Sequence, residues 1–455
     1  MRRLMTGPES LRPQANHFDL LRLVLAVSVI GSHSYLAVDG HTRNEPLHVW
    51  TEGRYTLGGV AVAAFIALSG FLVAESWHRS RSAWDFLRRR VLRIYPAYVV
   101  CYAVSVAVAV SWAGGVFRRE SPAATGADLL LRAAVLSPGF PIDGAFADLP
   151  GHGLINVSLW TICVEFFLYF LLLAAGLLGL LAASASAWRV AAVAGLFAAS
   201  VAFRWVVLPV GQYHDHGVSQ LFVFPPSWTG LAPYFLAGML AWVLRFHLPR
   251  SGWGMVGLLA AQVLTWNVPR VFDALLPVTL MYGLLYVGCW PGWLPRLPRW
   301  AGDLSYGTYL YGFLVQQVLL TVLPKAWWNV WVLTALAVPV TLLAALLSWH
   351  GLEKWFLPRA RRAADAASSV EPAGVEVGGP EGRAVGGGTG GDGVGEVSTA
   401  VSLPEAPMRV RPSNVWVWAV RQGQAARGEG TSRGGRRAEA SGRSAEGEGA
   451  GRRRG

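Results

Sequence analysis

The sequence predicts an all-α polytopic membrane protein of about ten transmembrane helices with a disordered C-terminal tail. Three observations predict it. Hydrophobic residues make up 53% of the 455 residues against 15% charged, with 21 tryptophans and a mean hydropathy of +0.39, far too apolar for a soluble chain of this length. Apolar runs recur at close to the ~20 residues that a bilayer crossing needs. From Arg359 onward the composition changes abruptly to Gly, Arg, Ala, Glu and Ser.

The apolar runs fall at 18–38, 56–77, 91–113, 157–182, 187–208, 229–246, 252–268, 272–290, 302–323 and 328–350. The first follows Arg2, Arg3 and Arg12, is too long for a signal-peptide core and lacks a small-x-small cleavage site, so it reads as a retained helix preceded by a cytoplasmic segment, 1–17. Placing that segment inside puts Arg79, Arg81, Arg88, Arg89, Arg90 and Arg93, then Arg189, Arg245, Arg250, Arg296, Arg299 and the basic residues after 353 on the cytoplasmic face. The opposite loops hold few cations, so the positive-inside rule expects both termini in the cytoplasm of a multi-pass cell-membrane protein. The stretch from 114 to 156 reads as a re-entrant or interfacial element. A membrane domain over 18–358 and a low-complexity tail over 359–455 follow. The tail cannot bury enough apolar area to offset its ordering entropy. Its arginines could meet anionic lipid, although a solvated tail is favoured, and its NVWVWAV island has no assigned role.

Several function classes drop out. Lys325 and Lys354 are the only lysines and neither follows a Gly-rich phosphate loop, so this chain carries no Walker-type ATP engine. The glycine runs of the tail have no flanking strand and helix, and no nucleic-acid partner is expected. Cys101, Cys163 and Cys289 stand singly, which suggests reduced packing residues and no metal. The His214 and His216 pair cannot share a helical face, and His152 reads as a loop residue.

Charged residues at bilayer depth are where chemistry is expected, because each costs at least ~2.5 kcal/mol there. Arg22 and His33 interrupt LLRLVLAVSVIGSHSY, and eleven residues turn a helix roughly 1,100°, so the two share a face. Arg90 and Arg93 in FLRRRVLRIYPAY lie one turn apart ahead of Pro96. They suit either topogenic anchoring or phosphate recognition by planar guanidinium forks. Glu165 in SLWTICVEFFLYF needs a polar partner: a structural pair, an imidazole it orients, or a polar acceptor it positions.

The order of these elements resembles the membrane-bound acyltransferase-3 family. FDLLRLVLAVSVIGSHSY, GGVAVAAFIALSGFLVAESW, FLRRRVLRIYPAY, SLWTICVEFFLYF, PYFLAGMLAW, GDLSYGTYLYGFLVQQVL and SWHGLEKWFL follow one another as that family's motifs do, over about 340 residues. The resemblance implies transfer of an acyl group, commonly acetyl, from cytoplasmic acyl-CoA to a hydroxyl of a carbohydrate or glycoside. It implies Arg22 and His33 as the Arg-x10-His pair, Arg90 and Arg93 as the Arg-x-x-Arg pair, and Glu165 as the motif carboxylate. Histidine has a reference pKa near neutrality, so His33 is then the candidate general base, and the three arginines hold the donor's phosphates. Two positions depart from the family: Gly312 stands where many members have histidine after YLY, and Trp355 where proline follows the final Glu-Lys. No essential role is therefore assigned to the ninth helix. No hydrolase-like domain follows the last span, so delivery to an extracellular polymer would require a separate transferase partner. The competing class is a permease or exporter of a polar or glycosylated substrate that uses the same intramembrane charges as a path; a scaffold in which these residues merely pair is the third.

Overall fold

The computed structural model describes residues 16–356, apart from 119–120, 138, 152, 183–185, 208–224 and 291–293. The tail over 359–455, His152, His214 and His216 lie outside the described residues. Helices follow in the order α1 Phe18–Asp39, α2 Pro46–Trp50, α3 Leu57–His78, α4 Ala83–Ser111, α5 Pro122–Ala134, α6 Trp160–Leu177, α7 Ala187–Val207, α8 Pro225–Val243, α9 Gly252–Leu264, α10 Pro269–Gly288, α11 Leu304–Val322 and α12 Val330–Ser348. A π turn, Trp349–Glu353, continues α12 into α13, Lys354–Phe356.

Every expected apolar run coincides with a helix, but among the described residues seven helices, not ten, are long and apolar enough to cross a membrane. These are α1, α3, α4, α6 with its leading 3-10 turn, α7, α10 and α12 with its extension. Helix α9 has 13 residues, about 20 Å of axis against a ~30 Å hydrocarbon core. Helix α11 carries Gln316, Gln317 and three tyrosines, polar groups that lower its hydropathy because they serve packed neighbours instead of lipid. The 114–156 stretch holds the amphipathic helix α5 and a two-residue ladder in which Val116 faces Asp143 and Phe117 faces Ile142. Leu130 of α5 is exposed while Arg132 is buried and paired with Asp128 at 3.0 Å, as expected of a helix lying along a surface instead of through it.

Capping chemistry sets the helix ends. Thr56 accepts from the Gly59 amide at 3.0 Å to start α3, and Ser82 accepts from the Asp85 amide at 3.1 Å to start α4, each satisfying an orphan donor. Gly40, at φ 75°, closes α1 by donating to the Leu36 carbonyl, a left-handed conformation that glycine adopts without cost. Helix α4 continues through Pro96.

Helix α3 is the buried centre, with 72% of its apolar stretch inside the protein against 17–50% for the other six candidate crossings. It lies against α1, α8 and α10, and against α8 it comes close enough for backbones to touch. A Cβ at Gly70 would overlap the Phe235 carbonyl, and one at Gly238 would overlap the Ala67 carbonyl and the Phe71 amide. Small residues permit this approach, which replaces the missing hydrophobic drive between helices in lipid with dispersion contacts. Replacing Gly238 by alanine is expected to destabilise the protein by about 2 kcal/mol through overpacking. A detergent-solubilised Gly238→Ala protein that melts with the parent would show that the two backbones do not approach in this way.

Candidate active site

Helix α1 carries the site's two ends. At the first, Arg22 Nη1 donates to Asp303 Oδ2 at 2.8 Å. Arg93 of α4 donates through Nη2 to that same oxygen, and through Nη1 to Glu353 Oε2 at 3.1 Å. Ser305 Oγ donates to the other Asp303 oxygen at 2.7 Å, and Ser348 Oγ to the other Glu353 oxygen at 2.9 Å. The Arg93 guanidinium also lies over the Tyr306 ring at 5.1 Å, and the Tyr306 hydroxyl donates to the Ile94 carbonyl at 2.9 Å. Two cations thus face two carboxylates whose side chains are only 3–4% exposed, as burial of charge demands.

Local backbone makes this meeting possible. Gly302, at φ +65°, turns the chain into Asp303, and the Trp349 indole packs so tightly on it that a Cβ would overlap the ring. The π turn at 349–353 then swings Glu353 inward to Arg93. Such turns within helices recur at functional sites.

Arg90 is placed beside this network. Its Nη2 donates to Ser76 Oγ at 3.1 Å and its guanidinium lies 5.9 Å from the Tyr169 ring centre. Glu165 accepts from Ser69 Oγ at 2.5 Å and from the Tyr169 hydroxyl at 2.6 Å. Ser69 lies eleven residues, about 16 Å, along α3 from Gly58, and Gly58 is where α3 abuts Ser32. The structure therefore brings Glu165 to the arginine end, three turns from the level of His33. It supports a polar or structural partner for Glu165 in Ser69 and Tyr169, not the orientation of the imidazole.

His33 lies at the second end, half-buried, with its ring edge-on to Phe313 at 5.4 Å and 84°. Beside it, Gln316 Nε2 donates to the Ile30 carbonyl at 2.8 Å and to Ser34 Oγ at 2.7 Å, and Thr334 donates to Ser34 at 2.8 Å. Thr161 and Tyr309 hydroxyls meet at 2.6 Å. Among the described residues no group of three His, Cys, Asp or Glu side chains could hold a metal.

The ninth apolar run, α11, to which the motif departures assign no essential role, supplies contacts at both ends of α1. It is preceded by Asp303 and contributes Tyr306 beneath Arg93, Phe313 against His33 and Gln316 against α1. Gly312 stands at the motif histidine's position, and the signal in the sequence for this helix's part in the site is the aspartate just ahead of SYGTYLY. Glu45 is a further buried polar residue of the site: it is 1% exposed, its Oε1 accepts from the Leu57 amide at 2.6 Å, and its Oε2 is buried without a hydrogen-bond partner among the described residues. Leu57 precedes Gly58, so this carboxyl belongs to the His33 end. A lone glutamate in a short polar loop gave the sequence no sign of that burial.

Two consequences are measurable. Asp303→Asn leaves Arg22 and Arg93 with an uncompensated buried charge, and removal of one member of such a pair costs about 3 kcal/mol; a melting temperature equal to the parent's would contradict the network. Burial pushes the Glu45 carboxyl up, partly offset by the Leu57 N–H. The folded state therefore holds the proton more tightly than the unfolded one, so the stability linked to it is present at acid pH and lost as pH rises through the raised folded value. Glu45→Gln should accordingly gain in melting temperature over the parent as pH increases from 5 to 8, and a pH-independent difference would refute this.

The acyltransferase domain family (acyltransferase-3) matches residues 16–350. An "O-acetyl transferase" of Shigella phage Sf6 is 29% identical over 350 residues, covering 76% of this chain and 97% of the relative. A "Nodulation protein 10" of Rhizobium leguminosarum bv. viciae is 29% identical over 360 residues, covering 74% and 92%. No solved structure matches significantly. The matched region takes in both ends of α1, the basic pair on α4, Glu165 and Asp303, and the chain belongs to the acyltransferase-3 family of membrane acyltransferases.

Proposed function

We propose that the protein transfers an acyl group, acetyl in the first instance, from cytoplasmic acyl-CoA to a hydroxyl of a carbohydrate or glycoside. The observation that supports this most is the placement of Arg22 and His33 on one helix, one at the buried arginine network and the other about 16 Å away in a packed aromatic and hydroxyl-rich interior. The relative named as an O-acetyl transferase supports the acetyl group and an oxygen acceptor.

In this reading His33 takes the proton of the acceptor hydroxyl as its oxygen attacks the thioester carbonyl carbon. His33 then returns that proton to the thiolate of coenzyme A as the carbon–sulfur bond breaks, leaving an acyl ester and a free thiol. Arg22, Arg90 and Arg93 attract the phosphates of the donor, which compete with Asp303 and Glu353 for the same N–H groups. Glu165 holds Tyr169 and Ser69 beneath Arg90 and so acts as a positioning residue. The arginine end faces the cytoplasm, as the distribution of loop cations favours.

Radiolabelled acetyl-CoA supplied to the purified protein with candidate glycans is expected to label the glycan. Movement of glycan across a vesicle membrane without use of acetyl-CoA would support a permease and overturn the proposal. His33→Ala should abolish transfer while accumulating normally in the membrane; full activity in that variant would remove the general base. Arg22→Ala should raise the KM for acetyl-CoA more than a surface control such as Arg118→Ala does.

A further inference from the structure

We infer that Arg250, with Trp290 and Tyr286, forms a binding site for the nucleotide portion of the acyl donor, beside the arginine network and separate from it. This rests on the donor reading above. Arg22 and Arg93 already have carboxylate partners in Asp303 and Glu353, Arg89 has Asp85, and Arg79 has Glu75. Arg250 differs. Its Nε and Nη2 are buried and have no hydrogen-bond partner among the described residues, whereas a guanidinium that served only to stack would leave that edge in water. Each buried donor without an acceptor costs about 1–3 kcal/mol, a penalty that an anion at this edge removes.

The surroundings suit a base and a phosphate together. The Arg250 guanidinium lies 4.3 Å from the Trp290 ring centre and 5.1 Å from that of Tyr286, and those two rings are 5.5 Å apart. Tyr282 holds the Arg250 backbone in place, its hydroxyl donating to the Pro249 carbonyl at 2.9 Å and accepting from the Ser251 amide at 3.2 Å. His17 completes the site: it is 3% exposed, its Nε2 is 3.2 Å from the Trp290 carbonyl, and its Nδ1 has no hydrogen-bond partner among the described residues. The His17 amide also donates to the Gly288 carbonyl at 2.8 Å. His17 precedes Arg22 by five residues, about 7.5 Å of helix, so the site lies near the end of α1 where the donor's phosphates are proposed to bind. Aromatic faces take purine bases with about 1–3 kcal/mol per stack, and a planar guanidinium takes phosphate in a bidentate fork.

The test uses the full-length protein in nanodiscs of neutral lipid. Arg250→Ala should weaken coenzyme A binding by about tenfold or more, measured by calorimetry and by quenching of tryptophan fluorescence, and Arg250→Lys should fall between it and the parent. Transfer from S-acetylpantetheine, which lacks the nucleotide, should be unchanged in both variants. Trp290→Leu should weaken coenzyme A binding in the same manner, so the proposal does not depend on one variant folding. Parent-like coenzyme A binding by folded Arg250→Ala and Trp290→Leu, with acetyl-CoA still used as donor, overturns this site and leaves the donor reading standing. A parent protein that neither binds coenzyme A nor uses acetyl-CoA overturns both. An effect of Arg250→Ala that is seen only in anionic-lipid nanodiscs assigns the site to a lipid headgroup phosphate and overturns the nucleotide assignment.

Discussion

Everything at the arginine end depends on the carboxylate of Asp303. One of its oxygens takes an N–H from Arg22 and another from Arg93, so a single residue joins α1, α4 and the start of α11. Glu353 extends the tie to the end of the last helix through Arg93. Charges of this kind are expensive to bury and worth little as a net source of stability. Their value is geometric, because they permit one arrangement of four chain segments and penalise every other. The same balance also means that Arg22 and Arg93 are not idle cations waiting for an anion. A polyanion that entered here would meet a site that is already neutral and would gain only by exchange, which makes a guanidinium without a carboxylate partner more consequential than another paired one.

Helix α1 acts as a spacer between this network and His33. Its pitch sets the separation at about 16 Å, and its two polar residues reach different neighbours at each level: carboxylate and guanidinium at one end, aromatic rings and hydroxyls at the other. A long thin donor with charge at one end and a reactive thioester at the other matches such a division. Close contact between α3 and α8 through Gly70 and Gly238 gives α1 a rigid surface to pack on. In lipid that rigidity has to come from shape, since hydrocarbon tails are as apolar as leucine.

Helix α11 shows why polar residues in a membrane protein mislead a reading by hydropathy. Gln316, Gln317 and the three tyrosines dilute its apolar character, yet Gln316 and Gln317 are fully buried and the tyrosines nearly so. Their hydrogen bonds go to carbonyls and hydroxyls on other segments of the chain, such as Ile30, Ile94 and Leu154. A backbone carbonyl that accepts a side chain leaves no mark on the sequence around it.

The sequence by itself determined the class of molecule, the position of its apolar helices, the shared face of Arg22 and His33, and the motif order that led to the family. Each of these depends on composition, on helical periodicity or on local order along the chain, which are properties of neighbours in sequence. The tertiary structure decided which charges meet. Arg22 and Asp303 are 281 residues apart, and Arg93 and Glu353 are 260 apart; no local pattern encodes such pairings. It also placed Glu165 with Ser69 and Tyr169, brought α11 against Arg93 and His33, and left Glu45 and Arg250 with buried polar atoms that have no hydrogen-bond partner among the described residues. Burial and partnership are properties of packing, and packing is settled only when distant helices come together.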